Sequence, residues 1–206
     1  MVKRAIFGGS FDPPHIGHVL AVKYILSTGS CDEVVIVPVF QHAFNKKLTD
    51  YDTRLALTRL AFEDEKQVHV SAIERDLPVP NYTLNTLLAL KEQYPHDELR
   101  LVIGADVLND VDKWHHFEQV VELSPLLILG RSGVAHPQAP VAYLPEVSSS
   151  QVRALLRQLP TLDVDIVEQP QRDAKLSQAQ AATLQQLSAL LPKTVLSRIL
   201  VDGLYR

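Results

Sequence analysis

Apolar runs and helical patterns alternate along the chain up to residue 130. The run Val34-Val35-Ile36-Val37 is uninterrupted, as in a strand buried on both faces of a parallel sheet. Strand patterns cover residues 5–7, 33–38, 67–73, 99–103 and 126–129, and helical patterns cover 16–28, 52–65, 84–93 and 117–123. Because strands and helices take turns with short connections, we predict an α/β fold, a doubly wound parallel sheet covered by helices on both faces.

Two helices of this pattern carry local detail. In the helix over 52–65, the inward face is predicted to consist of Leu55, Ala56, Leu60 and Ala61. Thr83 is predicted as the N-cap of the next helix, because a hydroxyl there accepts a hydrogen bond from the first turn.

The alternation stops after Gly130. Residues 131–140 are predicted as loop, 142–147 as a short strand at best, and 148–159 as a helix. The pattern over 160–170 is ambiguous; 177–191 is helical, and Pro192 begins a last helix that ends near Gly203. We therefore predict one domain over 1–206, with a core over 1–147 and a small C-terminal helical appendage over 148–206.

The first strand leads into the most informative stretch, residues 8–18, Gly-Gly-Ser-Phe-Asp-Pro-Pro-His-Ile-Gly-His. Gly8 and Gly9 permit unusual backbone angles and close approach of the main chain to a ligand. The helix that follows offers free N–H groups to an anion. His15 and His18 are one turn apart, and no cysteine or acidic cluster accompanies them, so phosphate suits them better than a metal. Either histidine alone is also compatible with an ordinary surface or core position.

A second polar stretch is residues 147–153, Val-Ser-Ser-Ser-Gln-Val-Arg. Its hydroxyls can cap a helix and bind phosphate oxygens, while Arg153 adds charge; a serine-rich cap followed by a surface arginine is the plainer interpretation. Both stretches resemble motifs of the nucleotidyltransferase superfamily, the first its Gly-Gly-Ser/Thr-Phe-Asp-Pro-x-His-x-Gly-His loop and the second its Ile-Ser-Ser-Thr-x-Ile-Arg segment.

Three further segments resemble the bacterial nicotinate mononucleotide adenylyltransferases. They are residues 81–87 (Asn-Tyr-Thr-Leu-Asn-Thr-Leu), residues 104–106 (Gly-Ala-Asp) followed by Trp114, and the ending Gly-Leu-Tyr-Arg. Residues 38–47 depart from the bacterial pattern and are closer to a Gly-Lys-Lys version found in eukaryotic nicotinamide mononucleotide enzymes. The resemblance thus implies a Rossmann-like fold and adenylyl transfer from ATP to nicotinate mononucleotide, giving deamido-NAD and pyrophosphate. Nicotinamide mononucleotide remains the alternative acceptor.

The resemblance also implies roles for particular residues. The catalytic group would be His18, His15 and Arg153. The ATP-binding residues would be Gly8, Gly9, Ser10, Phe11, His15, His18, Lys46, Gly104, Asp106, Ser148, Ser149, Ser150 and Arg153. The mononucleotide would contact Ser10, Phe11, Lys46, Tyr82, Thr83, Trp114 and His115. Mg²⁺ is expected to be carried with ATP, held by phosphates and water rather than by a protein metal site.

Composition excludes several other classes. The formal net charge of −4 provides no polybasic signal for nucleic acid or a membrane surface. No apolar run approaches the ~20 residues of a spanning helix. One cysteine, Cys31, permits no intrachain disulfide, and we expect a cytoplasmic protein. The partners expected are ATP and a pyridine mononucleotide; homo-oligomerisation is left open, and a nucleotide-sensing module without chemistry is the alternative from another class.

Overall fold

The computed structural model describes residues 1–41, 47–130, 144–159 and 177–206. Its centre is a five-stranded parallel sheet in the order β3-β2-β1-β4-β5. The strands are β1 Lys3–Gly9, β2 Glu33–Pro38, β3 Val68–Val70, β4 Glu98–Gly104 and β5 Leu126–Leu129. The strand order reverses between β1 and β4, which is the signature of a doubly wound sheet. The predicted fold class is confirmed.

Helices cover both faces of this sheet. The α-helices are α1 Ile16–Ser27, α2 Tyr51–Ala61, α3 Thr83–Gln93, α4 Phe117–Leu123, α5 Ser149–Leu156, α6 Gln178–Leu190 and α7 Lys193–Asp202. Two 3₁₀ helices, Ile73–Asp76 and Ala105–Lys113, follow β3 and β4. None of the helices in the described ranges is long and apolar enough to cross a bilayer.

Two apolar clusters form the core because successive strand residues point to opposite faces. Ala5 of β1 belongs to the cluster under α1 and α2, whereas its neighbour Ile6 packs with Leu84 and Leu87 of α3. The C-terminal helices join the first cluster, where Leu187 and Ile199 are fully buried. The appendage thus shares the core of the α1 face; its division from the rest at residue 147 stays a prediction.

The predicted inward face of α2 was partly wrong. Leu55 and Ala61 are buried as expected, but Ala56 is exposed and Leu60 is only half-buried. The buried stripe instead includes Arg54, which is 1% exposed. The buried face of α2 therefore differs from the predicted one, because it includes an arginine, which a hydrophobic pattern does not mark as buried.

Other boundaries also differ from the prediction. The N-cap of α3 is Tyr82 and Thr83 is the first helical residue, since Tyr82 O already accepts a hydrogen bond from Thr86 N–H at 3.3 Å. The strand β3 is shorter than predicted, because the chain turns into a 3₁₀ helix at Ile73. Residues 144–147 form no strand; the rest of that predicted strand, the 131–140 loop and the 160–170 segment lie outside the described residues.

Candidate active site

A cavity of about 860 Å³ opens where β1 and β4 end side by side. In an open parallel sheet this reversal of strand order is where ligands bind. Its lining includes residues of β1, the residue after it, the first turn of α1, the start of α3, the end of β4 and the turn before α4. Among them are Gly8, Gly9, Ser10, His18, Tyr82, Thr83, Gly104, Trp114 and His115. Nine of the predicted site residues therefore share one cavity.

Gly8 and Gly9 are the last two residues of β1 rather than the beginning of a loop, because they pair with Val37 and Pro38 of β2. Neither adopts a positive φ, so the expectation of unusual backbone angles was wrong. What the structure shows is close approach. A Cβ at Gly9 would lie 3.1 Å from the Phe11 ring, whereas a Cβ at Gly8 would meet no protein atom within 4 Å. A ligand can thus reach the backbone at Gly8.

His15 and His18 stack at the start of α1, with ring centroids 3.8 Å apart. The backbone N–H of His15 donates to Nδ1 of His18 at 3.1 Å. Since Nδ1 accepts this hydrogen bond, the proton of a neutral His18 ring lies on Nε2. His18 lines the cavity, while His15 is 6% exposed behind it, so the two histidines occupy different positions relative to a ligand.

Phe11 anchors the loop between β1 and α1. Its side chain is 1% exposed and its ring lies 4.8 Å from that of His18 and 5.6 Å from that of Phe7, centroid to centroid. The residue has a φ of 46°, a left-handed conformation that is uncommon for a bulky side chain. Phe11 therefore packs against the His18 ring within the core, and this predicted ligand contact is not among the residues that line the cavity.

The two polar stretches near residues 10 and 150 are brought together. The Ser149 hydroxyl donates to Pro13 O at 2.9 Å, and Arg153 Nη1 donates to Asp12 O at 2.5 Å. Ser148 caps α5 by accepting from Gln151 N–H at 3.2 Å. The contacts of Ser149 and Arg153 with the loop are therefore made at Asp12 and Pro13.

Seven of the predicted ATP ligands do not line the cavity described above: Phe11, His15, Asp106, Ser148, Ser149, Ser150 and Arg153. Arg153 is half-buried, and its Nη2 donates to Ser150 Oγ at 3.2 Å. The two predicted ATP-binding stretches are thus in contact through Asp12 and Pro13. Arg153 and the three serines do not, however, line the cavity that His18 lines.

A buried cluster that the sequence analysis missed supports this loop from below. Arg54 donates from Nη1 to Ser10 O at 2.9 Å and from Nε to Thr49 O at 2.8 Å. Thr49 N–H in turn donates to Asp12 Oδ2 at 3.2 Å. Burial lowers the pKa of Arg54, opposed by the charge of Asp12; burial, followed by that same charge, raises the pKa of Tyr205. Arg54 thus joins the loop to α2.

Aromatic side chains form another part of the cavity lining, here called the aromatic wall: Tyr82, Trp114, His115 and His116. Tyr82 and His115 stack with their ring centroids 4.5 Å apart, which joins the start of α3 to the turn before α4. His115 also contacts His116, whose φ of 54° turns the chain into α4. Trp114 is half-buried and meets Phe117 edge-on. This side offers flat faces to a planar ring.

Asp106 lies just past the end of β4. A Cβ at Gly104 would overlap Asp106 Oδ1, so the carboxylate lies directly against the Gly104 Cα. The backbone of Gly104 is extended and open to any residue, so a larger side chain here would have to displace the Asp106 carboxylate. Lys46, the remaining predicted site residue, lies outside the described residues.

Comparisons with known proteins place this geometry in a family. A model of the cytidylyltransferase-like family matches residues 6–155. A probable nicotinate-nucleotide adenylyltransferase of Anaeromyxobacter dehalogenans (strain 2CP-C) is 39% identical over 156 residues, which cover 74% of this chain and 82% of the relative. The chain belongs to the nicotinate-nucleotide adenylyltransferase family. This confirms the resemblance drawn from the motifs.

Other members of the nicotinate-nucleotide adenylyltransferase family extend the match to nearly the whole chain. A probable nicotinate-nucleotide adenylyltransferase of Acidithiobacillus ferrooxidans (strain ATCC 23270) is 34% identical over 215 residues, 98% of this chain and 94% of the relative. Among solved structures, Plasmodium falciparum nicotinic acid mononucleotide adenylyltransferase complexed with NaAD has a TM-score of 0.73 at 17% identity and covers 100% of this chain and 98% of that one. That structure supports the fold.

Proposed function

We propose that this chain transfers the adenylyl group of ATP to nicotinate mononucleotide, forming deamido-NAD and pyrophosphate for NAD synthesis. One observation carries the proposal. The cavity at the β1–β4 reversal joins a phosphate-binding loop, with His18, to an aromatic wall, with Trp114. A dinucleotide product needs both, because its phosphates and its pyridine ring must be bound at the same time.

The phosphates of ATP are proposed to bind along the loop over 8–18. His18 Nε2 is the donor side of its ring and would contact the α-phosphate, where charge develops in the transition state. Arg153 would hold the departing pyrophosphate together with the serines of 148–150; Arg153 and Ser149 already contact the same loop. His15 would act on the substrate phosphates from behind His18, and Lys46 is proposed as a further phosphate ligand.

ATP's ribose is proposed to bind at the end of β4. Asp106 is placed there by its contact with Gly104, and a carboxylate at this edge of the sheet can accept hydrogen bonds from ribose hydroxyls. The mononucleotide would then lie across the aromatic wall. Its pyridinium ring would stack on Trp114, and backbone N–H groups near Thr83 or His115 would receive the nicotinate carboxylate.

The reaction requires positioning and charge neutralisation rather than a protein nucleophile. A 5′-phosphate oxygen of the mononucleotide forms a bond to the α-phosphorus of ATP, and the bond from that phosphorus to the bridging oxygen breaks, so pyrophosphate leaves with the electron pair. No group of three His, Cys, Asp or Glu side chains within the described ranges is arranged as a metal site. We propose that Mg²⁺ arrives with ATP and lowers the charge of its phosphates.

The test of the acceptor is a comparison of two substrates. The purified protein is incubated with ATP, Mg²⁺ and either nicotinate or nicotinamide mononucleotide, and pyrophosphate release and the dinucleotide are measured. We expect the acid to be used with the higher kcat/KM. A preference for the amide of about tenfold or more, equal to about 1.4 kcal/mol, would replace this acceptor with the alternative. Nucleotide binding without pyrophosphate release would indicate a sensing module instead.

The role of His18 is tested by substitution. His18→Ala is expected to slow the chemical step roughly 10²–10³-fold while ATP binding, measured by calorimetry, is largely kept. The matched control is His96→Ala, because His96 is exposed and precedes β4, at the amino ends of the strands, whereas the cavity lies at their carboxyl ends. Equal single-turnover rates for His18→Ala and the control would remove His18 from the mechanism.

Location and assembly are also proposed rather than observed. A cytoplasmic location is supported by the single cysteine, Cys31, which is buried. Whether the protein assembles into a homo-oligomer is tested by light scattering of the purified protein.

A further inference from the structure

Glu74 is a buried carboxyl group for which the proposed reaction has no use. It belongs to the 3₁₀ helix Ile73–Asp76, is 7% exposed, and lines the cavity on the side of the aromatic wall. Burial raises the pKa of its carboxyl group. Placing an acidic side chain here is costly unless its oxygens are hydrogen-bonded, so its partners indicate what it does.

Each carboxyl oxygen of Glu74 has a donor from a different segment. Oε1 accepts from the Thr86 hydroxyl at 2.8 Å, and Thr86 lies in the first turn of α3. Oε2 accepts from the backbone N–H of Phe40 at 3.0 Å, in the loop that leaves β2. Glu74 therefore ties the loop after β2 to the beginning of α3.

Asn81 makes a parallel set of bonds from the same segments. Its side-chain amide donates to Glu74 O at 3.0 Å, and its Oδ1 accepts from Gln41 N–H at 2.8 Å. The backbone N–H of Asn81 also donates to Gln41 O at 3.3 Å. Asn81 is 5% exposed and directly precedes Tyr82 and Thr83, the residues proposed to meet the mononucleotide.

We propose that Glu74 is a positioning residue for the acceptor mononucleotide. Its side chain, with Asn81, sets the backbone of Tyr82 and Thr83 relative to the loop at Phe40. The aromatic wall and the loop after β2 are thereby held in a fixed position relative to each other. This inference rests on the proposed function, because it assigns the acceptor to that wall.

Hydrogen bonding, rather than charge, is the working property of Glu74 in this account. Glutamine can replace it: the amide oxygen would accept from Phe40 N–H, and the amide NH₂ would donate to the Thr86 hydroxyl, which can turn its own proton toward Tyr82 O, 3.4 Å away. Alanine leaves both donors without this partner. The conservative variant should therefore rescue the effect of the truncation.

The experiment compares steady-state kinetics of Glu74→Ala, Glu74→Gln and Thr86→Val with Asp76→Ala as the control. Asp76 is in the same 3₁₀ helix but exposed. We expect Glu74→Ala to raise the KM for nicotinate mononucleotide about tenfold and to leave the KM for ATP within about twofold. Glu74→Gln should stay within about threefold of the wild type for both substrates, Thr86→Val should raise the acceptor KM alone, and the control should change neither.

An equal rise of both KM values in Glu74→Ala, or a glutamine variant as impaired as the alanine variant, would overturn the inference. If Glu74→Ala does not fold, Thr86→Val decides: an unchanged acceptor KM in that variant rejects the positioning role. A wild-type protein that forms no dinucleotide rejects the proposed function. If the wild type is active but neither Glu74→Ala nor Thr86→Val changes the KM for the acceptor, the inference alone is rejected.

Discussion

Replacing Arg54 by methionine should weaken both the fold and the reaction. Arg54 is 1% exposed and donates to Ser10 O and Thr49 O, while Asp12 provides the nearby negative charge. Methionine reaches only to about the position of Nε, so it keeps the packing of the aliphatic stem and removes the guanidinium group. The change therefore tests the hydrogen bonds, the positive charge and the volume of that group together.

The expected cost follows from what is left behind. Two partly buried carbonyl oxygens lose their donor, at about 1–3 kcal/mol each, and a nearby carboxylate loses part of its neutralisation. Against this, the desolvation of a guanidinium is no longer required, so we expect a net loss of about 3 kcal/mol. Since domains of this kind are stable by about 5–15 kcal/mol, the variant should still fold at room temperature.

The assay is urea unfolding together with kinetics under folded conditions. Arg54→Met should show a lower free energy of unfolding than the wild type and, because Ser10 lies in the loop proposed to bind the phosphates, a raised KM for ATP. Arg59→Met is the matched control, since Arg59 is on the same helix but exposed, and its unfolding free energy should change by less than about 0.5 kcal/mol. A loss of under about 1 kcal/mol in Arg54→Met, with an unchanged KM for ATP, would refute this reasoning.

Two further predictions concern positions with one dominant contact. Gly104→Ala should displace the Asp106 carboxylate and raise the KM for ATP about fivefold or more, with little loss of stability. The control Gly29→Asn, at a φ of 65° remote from the cavity, should leave the KM for ATP unchanged. An equal KM for ATP in the two variants would show that Asp106 does not take part in ATP binding. Asp50→Ala should cost about 1 kcal/mol in urea unfolding at neutral pH, because Asp50 caps α2 by accepting from the N–H groups of Asp52 and Thr53. A hydrogen bond with the Thr53 side chain, followed by those from the backbone N–H groups, lowers the pKa of Asp50 below its ordinary value of 3.8, so its contribution is present above that value and lost as the pH falls through the folded pKa; a cost that persists in strong acid would contradict this.

The sheet could be predicted because its strands follow a strong pattern. Val34 to Val37 is apolar throughout, and all four side chains are buried, two in each apolar cluster. The alternation of such runs with helices leaves few topologies, and right-handed connections leave fewer. The loop over 8–18 could be located for a related reason: it follows the central strand directly.

The supporting residues could not be predicted from local pattern. Arg54 and Glu74 are charged, and charged residues are almost never buried unless they are paired. Their partners, Ser10 for one and Phe40 for the other, lie 44 and 34 residues away in the chain, so no local pattern links them. The stacking of Tyr82 on His115 is equally long-range, and it depends on a 3₁₀ helix, Ala105–Lys113, that no periodicity indicated.

The most direct test of the central claim is a crystal structure with a non-hydrolysable ATP analogue and nicotinate mononucleotide bound together. We expect one triphosphate in hydrogen-bond contact with both His18 and Arg153, and a pyridine ring stacked on Trp114. A triphosphate that contacts only one of those two side chains, or a pyridine ring bound away from the aromatic wall, would contradict it.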